Sequence, residues 1–269
     1  MQLISLNAWG GQLWPDLSVW LADTRPDILC LQEVTRRVAP GPDWLVYRDP
    51  FRVLRQRTDL FGDVCAILDT HQAVFAPAAR GSLEDQDGNL VASEHGIAAF
   101  VRGDLAISEF QQAFIHGSFR PDGWGPEPVP RTLQMMRICN PDSGGRIGIA
   151  HFHGLRDPSG KGDTADRLQQ SATVAARVEE FRQGDEPFVL AGDFNLQPET
   201  ASFARLSRLG LRDLVTAKGH ADTRTSHYPK LGRLADYMLV SSQVLVQAFD
   251  VPAIPEVSDH RPMILTTLI

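Results

Sequence analysis

Short apolar runs of the chain are followed by polar side chains that can bind a metal ion or move a proton. Such residues come after the runs at 3–6, 27–31, 147–152 and 187–191, and they are Asn7, Gln32 and Glu33, His153, and Asp193 and Asn195. Asp259 and His260 instead precede the last run, at 263–268. Buried ionisable groups are costly unless they are paired or bound to a metal. The pattern therefore indicates a functional site at one sheet edge rather than core packing.

The apolar runs are too short for most helices and are typical of β-strands. The sequence predicts strands at 3–6, 28–31, 64–68, 97–101, 133–138, 147–152, 188–191, 237–240, 244–249 and 263–268. Helices are predicted over 16–24, over 199–208 and, most clearly, between 152 and 188, with Asp163 or Thr164 as N-cap and Gly184 as the stop. Consecutive strands lie too close for crossover helices, which favours a largely antiparallel or mixed sheet system in an α/β arrangement. Because no repeat or linker divides the chain, residues 1–269 are expected to form one domain.

The composition is that of a soluble globular protein, with 43% hydrophobic and 22% charged residues. The formal net charge of −7 disfavours non-specific binding along nucleic acids, for which a basic chain is expected. No apolar run approaches the roughly 18 residues that a membrane-spanning helix needs. The first residues show neither the basic segment nor the cleavage site of a secretory signal. We therefore expect a cytoplasmic protein that does not associate with a membrane.

Six segments that contain the polar residues resemble, in order, the motifs of the endonuclease/exonuclease/phosphatase superfamily. They read Ser-Leu-Asn7-Ala-Trp, Leu-Gln-Glu33-Val, Phe-His153-Gly-Leu, Gly-Asp193-Phe-Asn195, Ala-Asp236-Tyr-Met-Leu-Val and Ser-Asp259-His260-Arg-Pro. Each motif alone is weak, but six in the right order over nearly the whole chain make accidental agreement improbable. The resemblance implies a four-layer α/β sandwich, in which two packed mixed β-sheets are flanked by helices. It also implies a metal-dependent phosphoester hydrolase, similar to pancreatic deoxyribonuclease, with the active site at one end.

The resemblance assigns a metal site and a water-activating site. A phosphoester is anionic, so attack by water requires charge neutralisation, which Mg²⁺ or Mn²⁺ supplies through oxygen ligands. Glu33 is the leading ligand candidate, with Asp259 and Asn7 beside it, and Asn7 is also a candidate for contacting the substrate phosphate. Asp193 matches the family residue that orients or deprotonates the attacking water. Asn195, two residues on, is expected to point the same way in an extended segment and to donate to a phosphoryl oxygen.

Two carboxylate–histidine pairs are also implied. His260 is expected to stabilise the transition state or assist proton transfer, with Asp236 accepting from its other ring nitrogen and fixing tautomer and charge. His153 is expected to pair with Glu94, which precedes a strand as in the pancreatic deoxyribonuclease-like members. Arg131 begins the strand after a long loop, where similar proteins place an arginine that contacts phosphate.

Two points remain open from the residues alone. His151 and His153 share one strand face, so either histidine could be catalytic; the family register favours His153 and a structural role for His151. The loops at 117–130 and 222–233 could hold a base, a small head group or a second phosphate, or could form solvated rims. The residues that suggest binding there are Phe119, Arg120 and Trp124 in the first loop and Arg224, His227, Lys230 and Arg233 in the second.

The resemblance does not name the substrate, because the family cuts nucleic acids, phosphoinositides, sphingomyelin and small nucleotides with one catalytic core. The Asn-x-Tyr-x-Pro-Asn motif of the abasic-site endonucleases is absent from the sequence. We expect a monomeric phosphodiesterase that acts on a nucleotide or a single-stranded nucleic acid by in-line water attack. The alternatives are a phosphatase for a sugar or inositol phosphate and a non-catalytic binding module.

Overall fold

The structure is a computed structural model, and it describes residues 1–49, 52–123 and 129–269. Within these ranges the strands form two sheets, numbered here in chain order. The eight-stranded sheet runs in the order β13 (Val246–Asp250), β14 (Met263–Thr267), β1 (Gln2–Asn7), β2 (Ile28–Arg37), β6 (Leu90–Arg102), β5 (His71–Glu84), β3 (Trp44–Asp49), β4 (Arg52–Arg57). The six-stranded sheet runs in the order β11 (Arg212–Asp213), β12 (Asp236–Val240), β10 (Phe188–Asp193), β9 (Arg146–His153), β8 (Arg131–Cys139), β7 (Ala106–His116).

Both sheets are mixed. Strand β1 is parallel to β2 and antiparallel to β14, and β10 is parallel to β9 and antiparallel to β12. One apolar core lies between the sheets and includes Cys30 and Ala99 from the first sheet and Met135 and Ile149 from the second. A second core lies on the outer face of the eight-stranded sheet. The predicted sandwich of two packed mixed sheets flanked by helices is confirmed.

The helices are α1 (Trp14–Thr24), α2 (Leu60–Ile67), α3 (Ala165–Phe181), α4 (Ala201–Ser207) and α5 (Leu214–Ala217). The Thr164 side chain caps α3 by accepting from the Arg167 amide at 3.3 Å. Asp163, the other expected cap, instead accepts from the first amides of α4, at 2.8 and 2.9 Å. Adjacent residues thereby fix the starts of two helices, and such caps each contribute about 1 kcal/mol. Among the described residues, no helix is long and apolar enough to cross a membrane.

The strand predicted at 64–68 is wrong, because this segment belongs to α2. Asp59 caps the helix by accepting from the Gly62 amide at 3.2 Å. The buried Leu60 and Val64 are four residues apart, so they lie on one helical face and pack into the second core. Strands β3, β4, β5, β7 and β11 were not predicted from the sequence.

Candidate active site

Three strands of the six-stranded sheet place their functional residues in one row. Asp193 ends β10, and its register partners are His153 at the end of β9 and Asp236 at the start of β12. Gly192, just before Asp193, has φ +137°, and a Cβ there would lie 2.1 Å from the Phe152 carbonyl oxygen. Strand alternation and this close approach together fix the direction of the Asp193 side chain.

Residues of the eight-stranded sheet reach the same edge. Asn7 ends β1, and the loop before β14 is tied to it because Ser258 Oγ donates to the Asn7 carbonyl oxygen at 2.6 Å. Glu33 was expected to follow the end of a strand, but β2 continues to Arg37. The register shifts between Leu31 and Val34, and Glu33 within this bulge has φ +53°. A bulge re-aims side chains, so it explains how a mid-strand glutamate reaches the site.

Positive φ values of non-glycine residues concentrate near this edge. Trp9, Glu33 and Asn195 have φ values of 50°, 53° and 53°. Such conformations cost of order 1–3 kcal/mol each and persist only where the surroundings hold them. These backbone conformations therefore support a functional site at this edge independently of the side-chain contacts.

Four nitrogen atoms surround one oxygen of the buried Asp193 carboxylate. Their distances from Asp193 Oδ2 are 3.1 Å for Asn7 Nδ2, 3.7 Å for His153 Nε2, 3.6 Å for His260 Nε2 and 3.9 Å for Arg224 Nη2. Burial raises the pKa of Asp193, and the nearby Asp236 raises it further. The carboxylate is thus a stronger base than an exposed aspartate and lies among groups that attract an anion.

The segment after Asp193 is held by backbone contacts. The other oxygen, Asp193 Oδ1, accepts from the Asn195 amide at 2.9 Å. Asn195 Nδ2 donates to the Gly154 carbonyl oxygen at 3.3 Å, and Arg131 Nε donates to the same oxygen at 3.1 Å. A Cβ at Gly154 would lie 2.1 Å from the Phe194 carbonyl oxygen, so the chain can pass this closely only with glycine.

His260 and Asp236 form a buried pair. His260 Nδ1 lies 2.8 and 2.9 Å from the two Asp236 oxygens, and Thr223 Oγ1 donates to Asp236 Oδ2 at 2.7 Å. Burial raises the pKa of Asp236 to about 6 and lowers the pKa of His260 to about 4. A neutral imidazole facing an ionised carboxylate must carry its proton on Nδ1. His260 Nε2 therefore presents a lone pair toward Asp193.

The oxygen ligands expected for a divalent cation occur beside these pairs. Glu33 Oε1 accepts from Asn7 Nδ2 at 3.2 Å, and Asp259 Oδ2 accepts from Arg224 Nη1 at 3.0 Å. Among the described residues, the buried Asp259 Oδ1 has no hydrogen-bond donor. Burial raises the pKa of Asp259, and the Glu33 charge adds to this. An unpaired buried carboxylate oxygen near a second carboxylate fits a hard cation such as Mg²⁺ or Mn²⁺.

Asn7 and a second cluster of side chains fit a cation less well. Asn7 Oδ1 accepts from the Trp9 amide at 3.0 Å while Nδ2 faces Glu33 and Asp193, so Asn7 serves here as a donor that orients carboxylates. Ligand atoms of Asp193, Asp236 and His260 also lie within 4.8 Å of one another. Asp236 and His260 Nδ1 are already bound to each other at 2.8 Å, however.

The Endonuclease/Exonuclease/phosphatase family model matches residues 4–260. The chain belongs to this family. The predicted resemblance is confirmed, and with it the prediction that the chain is an enzyme of the phosphoester-hydrolase class. No curated protein matches the chain by sequence.

Solved structures of the family share the fold. The mannosyl-6-phosphatase of Bacteroides thetaiotaomicron VPI-5482 has a TM-score of 0.70 at 17% identity, with 100% of both chains covered. The human Nocturnin catalytic domain with bound sulfate anion has a TM-score of 0.61 at 17% identity, covering 100% of this chain and 93% of that chain. A humanized D. rerio TDP2 has a TM-score of 0.62 at 15% identity, covering 100% and 99%. At such identities the likeness shows the fold alone.

The expected pairing of His153 with Glu94 differs from what the structure contains. Glu94 Oε1 lies 2.8 Å from Arg80 and Oε2 lies 2.5 Å from Arg36. In β6, Ala98 and Phe100 pack into the outer core, and strand alternation places Glu94 on that same face.

His95, which sequence reasoning left without a role, lies on the opposite face of β6 from Glu94. It lines a small cavity together with Arg131 and His153. His95 rather than Glu94 therefore lies beside His153.

His151 is part of the interior. His151 Nε2 lies 2.6 Å from Gln134 Oε1, and its Nδ1 lies 3.4 Å from Gln32 Nε2. Burial lowers the pKa of His151 to about 3. These contacts agree with the structural role favoured for His151 and leave His153 as the histidine at the site.

One residue of the loop at 222–233, for which the sequence left phosphate binding and a solvated rim open, lies at the centre of the site. Arg224 is buried between Asp193 and Asp259, whereas Arg233 binds Asp222 and His227 lies 3.6 Å from Glu256. Arg224 was named from the sequence as a possible phosphate-binding residue, but a polar loop carries no periodic signal for burial, so its place at the centre of the site was not predicted. Trp124 of the loop at 117–130 lies outside the described residues.

Lys161 was missed altogether. Its Nζ donates to the Leu234 carbonyl oxygen at 2.9 Å and lies 5.1 Å from the Tyr228 ring centroid. Burial lowers the pKa of Lys161 to about 8. This lysine adds positive charge beside the acidic cluster.

Proposed function

We propose that the chain is a divalent-metal-dependent hydrolase that cleaves a phosphoester by in-line attack of water. The observation that carries the proposal is the ring of four nitrogen atoms around Asp193 Oδ2. A phosphoryl group next to Asp193 would find donors for its oxygens and a carboxylate for its attacking water in one place. Charge neutralisation by the cation, held by Glu33 and Asp259, would make the phosphorus more electrophilic.

The residues then act as follows. Asp193 accepts a proton from the water through Oδ2, and its raised pKa suits this role. His260, held through Nδ1 by Asp236, and His153 face the same space through their Nε2 atoms. The negative charge of a bound phosphoryl group raises the pKa of both imidazoles, so that each can hold a proton and stabilise a phosphoryl oxygen. Arg131 and Asn195 both donate to the Gly154 carbonyl oxygen and thereby stabilise the chain next to His153.

We propose a nucleotide phosphodiester as the first substrate class. The Trp9 ring lies 5.9 Å from the His227 ring, and the Trp9 amide is bound to Asn7 at the site. Such a partly exposed aromatic pair suits stacking of a base. The net charge of −7 favours a short substrate over a long polyanion.

Turnover assays test the proposal. The purified protein is stripped with EDTA and assayed with Mg²⁺ or Mn²⁺ against bis-p-nitrophenyl phosphate, p-nitrophenyl phosphate, nucleotides, short single-stranded oligonucleotides, and sugar and inositol phosphates. Asp193→Asn should lower kcat at least 100-fold, and the exposed Asp142→Asn should not change it. Turnover of monoesters alone would replace the diesterase by a phosphatase of small metabolites. No metal-dependent turnover of any ester, or full activity of Asp193→Asn, would refute the hydrolase.

A further inference from the structure

The Arg224 guanidinium lies between two carboxylates of the site, those of Asp193 and Asp259. The residue is only 5% exposed. Nη1 donates to Asp259 Oδ2 at 3.0 Å, and Nη2 lies 3.9 Å from Asp193 Oδ2. The positive charge thus lies between the carboxylate assigned to the cation and the carboxylate assigned to the water.

The surrounding loop fixes the position of Arg224. Its amide donates to Asp222 Oδ1 at 2.8 Å, and its carbonyl oxygen accepts from Arg233 and Arg261, each at 2.8 Å. Both of these arginines also bind Asp222 Oδ2, at 2.8 and 2.9 Å. The guanidinium itself lies 4.4 Å from the Tyr228 ring centroid. The side chain is therefore preorganised and cannot simply turn into solvent.

The guanidinium keeps donors that the protein does not satisfy. Among the described residues, the buried Arg224 Nε has no hydrogen-bond acceptor. The 3.9 Å separation of Nη2 from Asp193 Oδ2 is too long for a hydrogen bond. Buried polar groups in native proteins are nearly always paired, so unsatisfied donors at a site point to a ligand with acceptor oxygens. A phosphoryl group provides such oxygens in the geometry that a guanidinium fork binds best.

We infer that Arg224 is a catalytic residue that donates to an oxygen of the reacting phosphoryl group. This inference rests on the proposed hydrolase function. Arg224 then stabilises the charge that develops on the phosphoryl oxygens, while its hydrogen bond to Asp259 keeps that carboxylate aimed at the cation site. In this inference Arg224 serves the reacting phosphoryl group rather than a second phosphate, because Nη2 lies 3.9 Å from Asp193 Oδ2.

The alternative is that Arg224 only balances the charge of Asp259 and Asp193. The two roles differ in the behaviour of Arg224→Lys, which keeps the positive charge but lacks the planar fork that binds a phosphoryl group. We would compare the wild type, Arg224→Met and Arg224→Lys. The exposed Arg177→Met serves as the matched control, since Arg177 contacts Glu180 on the surface of α3. Isothermal titration would measure the affinity for Mn²⁺ and, in the presence of Mn²⁺, for inorganic phosphate; kcat, KM and thermal melts complete the set.

Arg224→Met should weaken phosphate binding at least 10-fold and lower kcat at least 100-fold, with Mn²⁺ affinity reduced less than 3-fold. Arg224→Lys, which keeps the charge, should recover part of the phosphate affinity but little of kcat, because it lacks the planar fork. This second variant decides the question if Arg224→Met fails to fold. Wild-type phosphate affinity and kcat in the Arg224 variants would overturn the inference, and so would losses that follow an equal loss of Mn²⁺ affinity. Absence of turnover in the wild type would instead overturn the proposed function.

Discussion

Replacement of Asp236 by asparagine tests how the buried pair works. Asp236 accepts from His260 Nδ1 at 2.8 Å and from Thr223 Oγ1 at 2.7 Å. The asparagine can keep the Thr223 bond through its oxygen, but its NH₂ group then faces His260 Nδ1. The imidazole must accept this bond and move its proton to Nε2. The carboxylate charge that favours a protonated His260 is also removed, so the imidazolium proposed to stabilise a phosphoryl oxygen forms less readily.

The expected loss falls on catalysis rather than on folding. Loss of one preorganised transition-state contact lowers kcat by about 100- to 1000-fold. For stability, the rise in the pKa of Asp236 to about 6 means that its ionised form costs about 3 kcal/mol in the folded protein near neutral pH. Asparagine removes this cost, but it also replaces a hydrogen bond to a charged group, which contributes about 1.5–3 kcal/mol, by a weaker one. The two changes in the free energy of unfolding nearly cancel. The melting temperature at pH 7 should therefore change by only a few degrees.

The pH dependence of stability has a definite sign. Because the folded-state pKa of Asp236 is raised, folded wild-type protein binds more protons than unfolded protein between about pH 4 and pH 6. The wild type thus loses stability from this group as the pH rises through that window, and Asp236→Asn does not. The variant should be more stable relative to the wild type at pH 7 than at pH 4.

A double-mutant cycle measures the cooperation. Turnover and thermal melts are recorded for the wild type, Asp236→Asn, His260→Ala and the double variant. Because the pair acts as a unit, the double variant should be little slower than either single variant. Fully additive losses, or near wild-type turnover of Asp236→Asn, would refute this reading of the site.

Three further predictions concern other parts of the structure. Glu33→Gln should weaken Mn²⁺ binding at least 10-fold in isothermal titration, and unchanged affinity would remove Glu33 from the cation site. Glu94→Gln should lower the melting temperature with kcat within about 3-fold of wild type, whereas His95→Ala should lower kcat more than 10-fold; the reverse order would restore Glu94 to the site. His151 is held neutral with its pKa lowered to about 3, so unfolded protein binds more protons below pH 6.5 and the wild type should lose about 2 kcal/mol between pH 6.5 and pH 5. Denaturant melts at both pH values should show a smaller loss for His151→Gln, and equal losses would contradict the assignment.

Residues of the site could be predicted from the sequence where a polar side chain stands at the end of a buried strand. Asn7, His153 and Asp193 each end a buried strand, so the topology brings them to one edge. Glu33 was predicted as a site residue for the wrong local reason, because a bulge rather than a strand end re-aims it.

Other features depend on contacts that no local pattern encodes. The burial of Arg224 follows from Asp222, Arg233 and Arg261, which fold its loop inward. Glu94 and His95 are adjacent in β6 and lie on opposite faces, so only the packing of the strand decides which of them lies beside His153.

The site is shared between the two sheets. Asn7 and Glu33 belong to the eight-stranded sheet, and Asp193 belongs to the six-stranded sheet. The single Asn7 amide that donates to both carboxylates, at 3.2 and 3.1 Å, crosses the seam between them. A small slide of one sheet over the other would lengthen these contacts.

Turnover should therefore respond to the packing between the sheets, far from any reacting atom. Cys30 and Met135 are interior residues that set the spacing of the two layers. Changes in their volume are expected to shift the carboxylates relative to each other before they unfold the protein. The apolar interior between the sheets therefore helps to set the distances between the side chains of the site.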